Sequence, residues 1–114
     1  MPVAAAAETY ICVLQSRVGA VIPPDFQIAY SGDTATISHG WHDGLRQHQS
    51  RVRGDSARSR VAFSITNFRG FGGARATLQF QLVHARASNT LNVTVRPSGY
   101  SNRFTGSGTC QRRG

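Results

Sequence analysis

Between residues 46 and 60 the sequence RQHQSRVRGDSARSR carries Arg46, Arg51, Arg53, Arg58 and Arg60, the densest charge run in the chain, and Trp41 stands just before it. Guanidinium groups stay charged at any physiological pH and match the paired oxygens of carboxylates and phosphates. A basic stretch beside an aromatic is therefore a contact for a polyanion. Each neutralised anionic group releases counterions, and an indole offers a flat face to a base or a sugar. These six residues are the ligand-binding set the sequence points to. The plainer reading is a solvated loop whose arginines only keep the protein soluble, with Trp41 plugging one end of the fold.

Other constellations carry less. His39, His42, Asp43 and His48 offer imidazoles and a carboxylate, but their spacing matches no established metal pattern, so they read as solvated loop histidines and no metal is expected. Arg53-Gly54-Asp55 is the tripeptide that integrins recognise, too short to be specific. Arg69-Gly70-Phe71-Gly72 imitates the start of an RNA-recognition signature, but Gly73 stands where a stacking ring belongs, so the stretch reads as a hairpin turn. Asn92-Val93-Thr94 reads as plain strand surface. Catalysis finds no footing. The five acidic residues, Glu8, Asp25, Asp33, Asp43 and Asp55, fall at strand ends, in turns or loops, or in the tail. No nucleophile elbow, phosphate loop or zinc-protease helix occurs, no cofactor signature is present, and His84 has no evident sequence partner.

The elements that position these residues are strands. Val61, Phe63 and Ile65 share one parity, as do Leu78, Phe80 and Leu82, and again Leu91, Val93 and Val95. Side chains two apart share a face of a strand, so these are half-buried strands, with Thr77, Gln79, Gln81, Asn92 and Thr94 left for water. Phe26, Ile28 and Tyr30 give another strand, returned by the turn Ser31-Gly32-Asp33 to Ala35 and Ile37. Thr9 to Gln15 is β-prone with both parities apolar, which predicts cover on both faces. Asn102 to Cys110 is a glycine-studded last strand in which Gly106 and Gly108 allow a close approach or a sharp bend. From residue 39 to 59 the alternation stops, which predicts a long loop.

A chain of 114 residues supports one core. No apolar run approaches the roughly 20 residues of a membrane-spanning helix. The net charge is +8, with every one of the 13 basic residues an arginine. That balance favours an anionic polymer, an acidic protein or nucleic acid as partner. Nothing fixes the oligomeric state. Residues 1 to 8 read as a flexible tail, the small-residue remnant of a removed signal peptide, and 112 to 114 as a second tail.

Cys12 and Cys110 sit near the two ends. Two thiols cannot complete the four ligands of zinc, and in a small β domain such a pair marks a disulfide and an oxidising compartment; the competing reading is two buried free cysteines in a cytosolic protein. A bond would set the first and last strands side by side and close the sheet.

The ending LNVTVRPSGYSNRFTGSGTC, with Tyr10-Ile11-Cys12 at the front, resembles small exported bacterial proteins of unassigned function that begin with an aromatic-x-Cys strand and end in a Pro-x-Gly-Tyr turn, an aromatic and Gly-x-Cys. The resemblance implies an exported single-disulfide barrel and no activity. A looser likeness, of architecture alone, is to the periplasmic inhibitors of c-type lysozyme. Ser98-Gly99-Tyr100 departs from their Ser-Gly-x-x-Tyr motif, and a basic chain would repel a basic target.

The resulting expectation is an all-β protein, an antiparallel meander closing into a small seven- or eight-stranded barrel over residues 9 to 111. It is periplasmic or secreted, with Cys12 bonded to Cys110. The expected role is a non-enzymatic binding or structural module of the cell envelope contacting an anionic ligand. A nucleic-acid-binding protein and a proteinaceous enzyme inhibitor are the alternatives.

Overall fold

The computed structural model describes residues 8–17, 22–39, 47–54, 57–71, 74–99, 101 and 103–113, with backbone alone described within 66–76. Among the described residues nine strands follow one another: β1 (Glu8–Arg17), β2 (Asp25–Ser31), β3 (Thr34–His39), β4 (Gln47–Arg51), β5 (Arg53–Gly54), β6 (Arg58–Phe71), β7 (Ala74–Ala85), β8 (Thr90–Pro97) and β9 (Phe104–Arg112). They form one antiparallel sheet in the order β4-β3-β2-β1-β9-β8-β7-β6-β5, a meander rolled into a nearly closed barrel. Among the described residues no helix is long and apolar enough to cross a membrane.

The alternation in the sequence sets the inside of the ring. Phe63 lies opposite Phe80, which lies opposite Val95, and Val61, Leu82 and Val93 make the next row. All six are buried, and the Phe63 and Phe80 rings stack with centroids 4.7 Å apart. Ile28, Ile37, Phe26 and Ile22 fill the opposite wall. Between β2 and β3 the connection is the two-residue turn Gly32-Asp33, whose first position, Gly32 at φ 61°, takes the left-handed conformation that a tight hairpin requires.

Closure comes first from the termini. Strands β1 and β9 pair from Tyr10–Arg112 to Arg17–Gly106, and Cys12 lies directly opposite Cys110, bonded to it with Cα atoms 3.9 Å apart. The Cys110 amide donates away from β1, to the Asn89 carbonyl at 2.7 Å. The two cysteines thus form a non-hydrogen-bonded pair, in which facing side chains come closest. Opposite the bulge between Leu14 and Ser16, a Cβ on Gly108 would fall on the Val13 carbonyl and within 2.6 Å of Leu14 Cα. The glycine is there because the β1 backbone presses against it.

Four expectations are corrected. Among the described residues there are nine strands rather than seven or eight, because residues 47–54, inside the stretch expected to be a loop, form β4 and β5. Their Gln-His-Gln-Ser-Arg pattern has no apolar member to mark it, and backbone pairing with β3 holds it in place. The first strand is not covered on both faces: Tyr10, Cys12 and Leu14 point inward, while Val13 is 50% exposed on the outer wall. Its neighbours β2 and β9 lie in the plane of the sheet and leave that face open. The barrel also takes in more of both ends than expected. Glu8 pairs with Tyr30, and Arg112 pairs with Tyr10, leaving residues 1–7 and 114 outside the described part.

Candidate functional site

One segment closes the far side of the barrel. Its first half, β4, pairs with β3, and its second half, β5, pairs with β6. Val52 between them donates its amide to the Asp33 carbonyl at 2.7 Å. No ladder joins β4 to β6; instead the Ala62 amide donates to Ser50 Oγ at 3.0 Å. The segment therefore lies as a ridge beside β6 that seals the seam, and a groove of about 1130 Å³ runs between it and the outward faces of β6, β7 and β8.

Arg51, Arg53, Arg58, Arg60 and Arg96 all line this groove, and no carboxylate among the described residues does. Arg53 lies directly opposite Arg60 in the β5–β6 pair. Like charges in that relation repel and cost stability. Gly54 permits it: at φ 94° it turns the chain so tightly that a Cβ would strike the Arg58 carbonyl.

Apart from Arg96, the β7 and β8 part of the floor is uncharged. In one row Ala62, Gln81 and Thr94 stand side by side across β6, β7 and β8, and in the next Gln79 stands beside Arg96. Phe80 borders the groove, but its ring is buried against Phe63. Four of the arginines singled out in the sequence, Arg51, Arg53, Arg58 and Arg60, thus come together. Trp41 and Arg46 lie outside the described residues. Arg96, Gln79, Gln81 and Thr94 belong to the groove and were not expected there. The parity of β7 and β8 marks their side chains as outward, but only the ridge makes that face a groove.

The histidines are placed differently from expectation. His39 is buried at the end of β3 and His48 is half-buried on the inner side of β4, so neither is a solvated loop residue. Their rings stack with centroids 5.5 Å apart, and His48 stacks on Phe63 at 4.4 Å. With Phe63 and Phe80 they extend the aromatic core. His42 and Asp43 lie outside the described residues.

A second polar cluster fills one end of the barrel. His84, fully buried, has Nδ1 2.8 Å from the Tyr30 hydroxyl, and the Tyr10 ring meets its edge at 4.6 Å. The Arg86 guanidinium lies 4.2 Å from the centre of the Tyr30 ring and 3.6 Å from Glu8 Oε2. Arg112 reaches the other Glu8 oxygen at 3.5 Å, and the Tyr10 hydroxyl donates to Glu8 at 3.2 Å. Burial holds the His84 imidazole below its ordinary pKa; the Asn89 side chain opposes that shift and the Arg86 charge adds to it. Burial likewise raises both tyrosine hydroxyls, with the Glu8 carboxylate as a second cause for Tyr10. His84 thus does have a partner, though one 54 residues away in sequence. No solute reaches an imidazole with no exposed surface, so the cluster supports the fold.

Comparison of the chain with protein-family models, with curated proteins and with solved structures finds no match.

Proposed function

We propose that this protein is an exported, non-enzymatic binding module of the bacterial cell envelope, and that it holds an anionic ligand in the groove between the β4–β5 ridge and β6. The observation that carries this reading is the direct opposition of Arg53 and Arg60 in a groove with a third, fourth and fifth arginine and no described carboxylate. A general need for positive charge is met by arginines anywhere on the surface. Packing them face to face costs stability and is offset when an anion sits between them.

The disulfide is consistent with an oxidising compartment, which supports export. The test is retention of the protein on a sulfated polysaccharide resin across a salt gradient. Elution of the wild type well above physiological salt, with Arg53→Ala/Arg60→Ala eluting markedly earlier, supports the reading. Elution of both proteins together at low salt overturns it.

A further inference from the structure

Resting on the anion-binding reading of this groove, we propose that its ligand is an acidic polysaccharide, carboxylated or sulfated, rather than a nucleic acid. On the β6–β8 wall of the groove the charges stand apart, Arg58 and Arg60 toward one end and Arg96 at the other, while Arg51 and Arg53 line it from the β4–β5 side. Arg53 lies opposite Arg60; Arg96 lies two strands across and four residues along, roughly 16 Å from Arg60 by strand spacing and rise. Between them Gln79, Gln81 and Thr94 present amides and a hydroxyl, groups that both donate and accept hydrogen bonds. A ligand for this surface carries anionic groups set apart by hydroxyls, which is the chemistry of an acidic glycan.

Nucleic acid makes two demands that the groove does not meet. A single strand carries a phosphate at every nucleotide and is held by aromatic faces on which its bases stack. The one aromatic residue bordering the groove among the described residues, Phe80, is 2% exposed with its ring in the core. A duplex presents a close, regular row of phosphates and needs cations along the whole track. Here the middle of the β7–β8 wall, Gln81 and Thr94, is neutral, and the charges across from it are on the β4–β5 side alone. Arginine is the cation suited to the proposed ligand, because its planar fork takes both oxygens of a carboxylate or two of a sulfate.

The experiment is calorimetric titration of the full chain at one moderate salt concentration with three probes matched in charge: a sulfated octasaccharide, an oligogalacturonate and oligothymidylate. The expected result is that one of the saccharides binds at least about tenfold more tightly than the DNA. Gln79→Ala/Gln81→Ala is then expected to weaken that saccharide about fivefold with its salt dependence unchanged, because hydrogen bonds and not charges are removed. Thr94→Val, which keeps the shape and deletes the hydroxyl, is the second variant and shifts affinity in the same direction.

Oligothymidylate binding as tightly as either saccharide overturns the polysaccharide assignment and leaves the anionic groove standing. Saccharide affinity unchanged in both variants does the same. Failure of all three probes to bind overturns the assignment together with the anion-binding reading beneath it.

Discussion

Tyr30 and His84, on β2 and β7 at opposite sides of the barrel, meet across its interior in a hydrogen bond of 2.8 Å, and this bond ties the two walls at one mouth. The ordinary imidazole value is 6.5 and burial lowers it in the folded protein, so below that pH the unfolded chain binds the extra proton more readily. Stability is therefore full above about pH 6.5 and is lost as the pH falls through the lowered folded value. The tyrosines set the other limit. Their folded values are raised above 10.0, so stability declines as the pH climbs past that point. Urea unfolding across pH should show both limbs, and His84→Leu should flatten the acid one. Tyr30→Phe leaves Nδ1 buried without its partner and should cost about 1 to 3 kcal/mol at neutral pH. An unchanged urea midpoint would remove this bond from the account of the fold.

Gly108 is held by the backbone opposite. Because a Cβ there meets the Val13 carbonyl and Leu14 Cα, which no rotamer change can move, Gly108→Ala must push β1 away from β9 next to the disulfide. The expected loss is about 1 to 3 kcal/mol, the usual cost of overpacking. Ser107→Ala, one residue away on the exposed face, is the control and should leave the denaturation midpoint in place.

The Cys12–Cys110 bond joins residues separated by 98 positions. Chain-entropy arguments place the stabilisation from closing so long a loop at up to roughly 4.7 kcal/mol, and often less. Since the β1–β9 ladder runs past the bond on both sides, reduction should lower the thermal midpoint without abolishing the barrel. A far-UV circular dichroism spectrum retained at low temperature in reductant, with a midpoint lower by many degrees, is the expected pair of results. Loss of the spectrum at all temperatures would mean that the ladder cannot form without the covalent link.

The fold is legible in the sequence where side chains alternate and not where backbone does the holding. Val61, Phe63 and Ile65 announce β6 because each second residue is apolar. Gln47 to Arg51 is just as regular a strand, but its inward members are His48 and Ser50, so hydrophobic periodicity cannot detect it. Four of the groove arginines were visible as a charge run. Arg96 was not, because parity says which face a residue takes and not what lies over that face. His84 carried a readable signal: it continues the inward parity of Leu78, Phe80 and Leu82, and a polar residue in that position calls for a buried partner. Which partner is a matter of barrel closure, and no local pattern states it.

Ser50 tests how the barrel is sealed. The Ala62 amide has Ser50 Oγ as its acceptor at the one seam without a backbone ladder. Ser50→Ala should open that seam locally: amide exchange at Ala62 and its neighbours on β6 should quicken, while the β7–β8 amides keep their protection. The expected stability change is about 0.5 to 1.5 kcal/mol, the net worth of one hydrogen bond. Uniform exchange across the barrel would show that β4 is held by its pairing with β3 alone.

Arg53 and Arg60 should respond to mutation in opposite senses for stability and for binding. If their facing position serves a ligand, Arg53→Ala relieves repulsion in the free protein and raises its thermal midpoint slightly at low salt, with the gain disappearing as salt screens the pair. The same substitution removes a contact to the bound anion and should lower the slope of log affinity against log salt by roughly 0.7, the value for one cation against a flexible polyanion. Arg60→Ala should behave alike, and the double variant should show little further gain in stability, because the repulsion is gone once either partner is removed. Arg53→Lys restores the charge but not the planar fork, so it should recover the salt slope while leaving affinity below wild type. A destabilised single variant at low salt would show that the two side chains support the fold, and the case for a ligand between them would fail.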